Sequence, residues 1–71
     1  GLTDIMTCMN LLSTGYRTIL NLYLVEEFSH REIAEKLGIS ESTSRSQFTR
    51  ARQTLMKLLK EKINHTSAKD A

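Results

Sequence analysis

The sequence predicts an all-α fold, four helices closing in a C-terminal helix-turn-helix, winged-helix-like but without strands. Three observations carry this. The 71 residues include no proline and only three glycines, which disfavours sheets joined by tight turns. Apolar residues recur at three- and four-residue spacing along most of the chain. Around Gly38, a helix-start signature, a glycine stop and a second helix start follow within a dozen residues.

The first helix is expected over about 3–12, capped by Thr3. Leu2, Ile5, Met6, Met9 and Leu12 fall on one stripe. "STG" at 13–15 is a corner, with Ser13 placed to cap the next helix. That second helix covers about 14–27. Tyr16, Ile19, Leu20 and Tyr23 form its stripe, and Leu22, Leu24 and Val25 widen the apolar surface, so it needs more than one neighbour. A strand is the rival for "TILNLYLV", which holds β-branched and aromatic residues, but its alternation is poor and 3.6 fits better.

The third helix, about 30–37, has the plainest grammar. Ser29 and Glu32 make a capping box, and Phe28 can staple onto Ile33. Ile33, Ala34 and Leu37 form its buried face, and Gly38 supplies the left-handed residue that ends it. Ser40 then caps a fourth helix, about 41–63. Ser44, Phe48, Ala51, Leu55 and Leu58 repeat at intervals of four and three and face the core. The polar residues 64–71 are expected to be a disordered tail.

Composition excludes several function classes. One cysteine, Cys8, allows no internal disulfide and no cysteine-rich zinc site, and suits a reducing cytosol. Cys8 itself is read as a small, half-buried side chain. No apolar run reaches the ~20 residues of a bilayer span, so membrane insertion is not expected. No paired carboxylates, nucleophile–base set or glycine-rich phosphate loop is present, so no enzyme, metal or cofactor is expected. Net charge is only +2, but it is polarised. Up to residue 30, Arg17 alone opposes Asp4, Glu26 and Glu27. From 40 to 60, Arg45, Arg50, Arg52, Lys57 and Lys60 oppose Glu41 alone.

Those cations surround a helix made for a groove. With Ser44, Phe48 and Ala51 inward, the opposite face carries Ser42, Ser46, Thr49 and Gln53, flanked by Arg45 and Arg50. Short hydroxyls let a helix sit deep in a major groove about 12 Å wide. Arg45 is the expected base reader, since a guanidinium pairs bidentately with guanine O6 and N7. Ser42, Ser46 and Thr49 are expected to make adaptable contacts, and Arg50 and Arg52 to clamp phosphates. The amides at 40–43, with Ser40 and Thr43, and the start of the third helix at His30 and Arg31, also suit phosphate oxygens. Arg52, close to the core stripe, fits an ion pair with Glu41 or with a carboxylate of the first half of the chain equally well. His30 is otherwise a solvent-exposed first-turn residue, and Tyr16 and Tyr23 fit core-edge packing.

The pattern resembles a known family. "GYRTILNLYLVEEFSHREIAEKLGISESTSRSQFTRARQTLMKLL" is similar to region four of bacterial sigma factors, nearest to the extracytoplasmic-function (ECF) class. The likeness covers 12–59, about two-thirds of the chain, and rests on "GYRTIL", "SHREIAEKLGIS" and "RARQTL". It implies cytoplasmic, bacterial reading of the −35 promoter element within RNA polymerase holoenzyme. By position it implies groove contacts from Ser42, Arg45, Ser46 and Thr49, with Gln47 added, and phosphate contacts from Arg31, Thr43, Arg50 and Arg52. It also implies docking on the β-subunit flap and occlusion by an anti-sigma factor, with Leu22, Leu24 and Val25 as the apolar surface. Three residues depart from the family pattern: Ser13 for Pro, Ser42 for Gly, and Ser44 for an apolar residue. Ser44 costs core area unless its hydroxyl bonds back to a carbonyl.

The chain is therefore expected to be a monomeric piece of a longer protein, with Gly1 an addition. Two other readings stay open at this stage: a stand-alone or response-regulator helix-turn-helix protein, and a helical module whose basic face grips an acidic partner.

Overall fold

The structure is a computed structural model, and it describes the backbone of residues 2–70 and the side chains of residues 3–62. Its helices are α1 (Leu2–Leu11), α2 (Thr14–Leu20), α3 (His30–Leu37) and α4 (Glu41–Asp70), and no strand occurs among the described residues. A π-helical turn, Asn21–Val25, continues α2. Long α4 is the spine, and each of the other helices packs on it. At 1.5 Å per residue its thirty residues run about 45 Å, which accounts for overall dimensions of 48 × 18 × 16 Å.

Cys8, Leu12, Ile19, Leu20, Ile33, Ala51 and Leu55 make the core, with Met9, Tyr16, Leu22, Phe28, Phe48, Leu58 and Leu59 packed around it. Every helix contributes, and each fully buried Ile or Leu is worth about 1.5–3 kcal/mol. The stripe expected for α4 is the one turned to the core, and of the stripe expected for the second helix Ile19 and Leu20 are buried, Tyr16 is half-buried and Tyr23 stays exposed. On α1 the stripe is rotated: Cys8, at 1% exposure, and Leu12 go inward, while Ile5 and Met6 stay exposed. A single short helix lying on α4 can hide only one narrow side, and Cys8 and Leu12, four apart, lie on it. Cys8 is thus a full core residue rather than half-buried. Thr3 lies inside α1 rather than capping it, and its carbonyl accepts the Thr7 hydroxyl at 2.9 Å.

Two boundaries differ from expectation for a backbone reason. The second helix is α only to Leu20. The Glu26 N–H donates to the Asn21 carbonyl at 3.0 Å, five residues back, and the Phe28 N–H reaches Leu22. Glu27, at φ 59°, takes the left-handed turn that a glycine usually takes. No glycine or proline lay there to signal the stop. At the other end, α4 continues to Asp70, where the sequence pattern placed its end at Ile63 and a disordered tail after it. Residues 64–70 hold neither glycine nor proline, so nothing in them forbids helical backbone. The side chains there lie outside the described residues.

Local caps follow the sequence closely. The Ser13 hydroxyl accepts from the Tyr16 N–H at 3.3 Å. Ser29 and Glu32 exchange both bonds of the capping box, at 3.1 and 3.0 Å. Phe28 joins the cluster containing Ile33, and Lys36 Nζ sits 4.8 Å from the centre of its ring.

Candidate nucleic-acid interface

The turn between α3 and α4 fixes how the basic helix is presented. Gly38 adopts φ 69° and ψ 35°, and the N–H groups of Gly38 and Ile39 both end on the Ala34 carbonyl. Ala34 and Ile33 are buried and Ile39 is half-buried, as their places in the bend require. Leu37, expected inward, is 41% exposed. It overhangs the bend instead, lining a shallow cleft with Gly15, Ile19, Ile39, Thr43 and Gln47.

Ser40 starts α4 with a dense cap. Its hydroxyl accepts from the Thr43 N–H at 3.0 Å and donates to the Thr43 hydroxyl at 2.7 Å. The Ser40 proton is therefore used within the cap, while the Thr43 hydroxyl keeps its own proton to donate outward. Ser42 is exposed, with its hydroxyl 3.4 Å from that of Ser40.

Beyond the cap, α4 divides as a helical wheel demands. Ser44, Ala51 and Leu55 are buried and Phe48 is half-buried. Ser42, Arg45, Ser46, Thr49, Arg50, Arg52 and Gln53 are exposed. Arg45, Ser46, Thr49, Arg50 and Gln53 line one shallow depression, and at about 100° per residue the two arginines flank the hydroxyls around the helix. Gln47 is set apart from this group. It is half-buried and turned to the cleft beside Leu37 and Ile39. Arg31, on the first turn of α3, is exposed, and its nearest carboxylate is Glu35 at 3.9 Å.

Three contacts were not foreseen from the sequence. Glu41 pairs with Arg45 at 2.8 Å, rather than with Arg52. The spacing of four, acid before base, was the available signal. Ser44, fully buried, meets His30 Nδ1 at 2.9 Å instead of a carbonyl of its own helix. His30 is half-buried rather than solvent-exposed, its ring stacked on Tyr23 at 4.5 Å and edge-on to Phe48 at 5.5 Å. Fourteen residues separate His30 and Ser44, so no local pattern announces the pair.

Short hydroxyls on an exposed helix, arginines at its margins and a bend that thrusts it outward are the features of a DNA-reading helix-turn-helix. The family model for sigma-70, region 4, matches residues 2–55, which takes in α1 to α3 and the whole depression on α4. The chain belongs to the sigma-70 family. Comparisons of this region 4 domain with curated proteins and with solved structures return no match. Sigma-70 region 4 binds promoter DNA in transcription initiation and is a binding domain rather than an enzyme. No helix among the described residues is long and apolar enough to cross a membrane.

Proposed function

We propose that this domain reads the −35 promoter element for an ECF-class sigma factor in the bacterial cytoplasm, inserting the exposed face of α4 into the major groove. The observation carrying this is the depression of Arg45, Ser46, Thr49, Arg50 and Gln53 standing clear of the core behind a glycine-capped bend. Arg45 reads a guanine edge. Ser42, Ser46 and Thr49 make shorter-range contacts to base edges or the waters on them. Arg50, Arg52 and Arg31 neutralise phosphates, joined by the α4 start at Ser40 and Thr43. Gln47, on the cleft side, reaches the DNA from the margin of the face.

The same reading places partners elsewhere on the surface. Leu24 and Val25, at 56% and 70% exposure, form the apolar surface for the polymerase β-flap or an anti-sigma factor. Leu22 packs against the core and is not part of it.

Selection of duplexes from a randomised pool by the 71-residue chain tests the DNA reading. Enrichment of a short motif with a guanine, relaxed at that one base pair in Arg45→Ala, is expected. The variant should lose about 1–3 kcal/mol on the selected duplex. An Arg45→Ala variant that loses equally on selected and random duplexes would remove Arg45 as a reader.

A further inference from the structure

Glu41 and Arg45 are one helical turn apart, and their side chains meet at 2.8 Å while remaining 46% and 60% exposed. Such an exposed pair does little for stability. It changes what Arg45 can bind. A guanidinium carries five N–H donors in a rigid fork, and Nη2 is committed to Glu41. The remaining donors can still address the O6 and N7 of a guanine. That base is uncharged, so the Glu41 carboxylate can stay in place while Arg45 bonds to it.

A phosphate is a different case. To bind it with the same arginine, a second full negative charge must come beside Glu41, or the Glu41 bond must break. Either route costs electrostatic energy that the guanine contact avoids. Glu41 also stands on the first turn of α4, so its carboxylate faces any phosphate that approaches Arg45 from that end of the helix.

We infer that Glu41 is a specificity-determining residue, which reserves the Arg45 guanidinium for a base edge and denies it to the sugar-phosphate backbone. This rests on Arg45 as a base reader. Random DNA offers Arg45 mostly phosphates, so the carboxylate weakens random binding more than cognate binding.

The test compares the chain with Glu41→Gln, nearly isosteric but uncharged, on the selected duplex and on a scrambled duplex over a range of salt. Glu41→Gln should bind the scrambled duplex about 5–10-fold tighter, steepen its salt dependence by about one phosphate contact, and change the selected duplex by less than about 3-fold. In an Arg45→Ala background the same substitution should shift both duplexes equally, because the residue it restrains is gone. Equal gains on both duplexes with Arg45 present would reduce Glu41 to a general repulsion and overturn the inference. So would an unchanged ratio. A parent chain with no preference for the selected duplex overturns the −35 reading itself, and this inference with it. A clear preference that Glu41→Gln leaves intact sinks the inference alone.

Discussion

His30 Nδ1 and Ser44 Oγ lie 2.9 Å apart where α3 crosses α4, and they satisfy each other in a site closed by Tyr23 and Phe48. Ser44 has no exposed surface, so its hydroxyl has no solvent to fall back on. Removing one partner strands the other. Ser44→Ala should lower unfolding free energy by about 1 kcal/mol, measured by urea denaturation. A cycle with His30→Phe should show a coupling of about 0.5–1.5 kcal/mol. Strictly additive losses would mean that the bond contributes nothing.

The capping box predicts an acid dependence. The Ser29 backbone N–H, followed by its hydroxyl and the charge of Lys36, holds the Glu32 carboxyl below its ordinary 4.5. A carboxylate depressed in the folded state stabilises fully above its unfolded pKa and loses that contribution as pH falls through the folded one. Melting temperature should therefore drop between about pH 5 and the lower folded value. Glu32→Gln should flatten that part of the profile. A profile identical to the parent's would remove the box from acid stability.

Gly38 isolates a backbone cost. Nothing lies within 4 Å of where a Cβ would sit, so a side chain there meets no neighbour, only the φ of 69°. Gly38→Ala should destabilise by about 1–2 kcal/mol in thermal or urea unfolding, and Gly38→Asn by less. Equal losses would mean that the left-handed backbone is not what sets the cost.

Arg50 tests the phosphate assignments separately from base reading. Arg50→Ala should weaken binding to selected and scrambled duplexes by the same factor and reduce the salt slope by about 1. Sequence-dependent losses would make Arg50 a reader.

The apolar ledge on the π turn gives a prediction about protein partners. Leu24→Ser and Val25→Ser should leave thermal stability within about 0.5 kcal/mol, because both side chains already face water. Pull-down by the isolated polymerase flap should fall in both. Unaltered capture would move that contact elsewhere on the domain.

Most of the framework was legible because its signals are local. Ser29 with Glu32, Gly38, and the Ser44–Phe48–Ala51–Leu55 spacing each state a backbone requirement within a few residues. The exposed face of α4 followed directly from that spacing. What stayed hidden depends on tertiary partners. Which side of α1 is buried depends on where α4 lies, so Cys8 displaced Ile5 and Met6. His30 looked like a surface residue because Ser44 and Phe48 reach it only in the folded chain. The π turn had no composition of its own, since its widened hydrogen bond needs no special residue.

That π turn sets a phase relation along the chain. Its wider loop accommodates an extra residue relative to an α turn. Deleting one residue from it would restore ordinary winding and swing everything downstream by about 100° about the axis, carrying His30 away from Tyr23 and Ser44. Substitutions at its outer positions leave the winding unchanged, but the segment's length is locked to the orientation of α3 and, through it, of the bend that precedes α4.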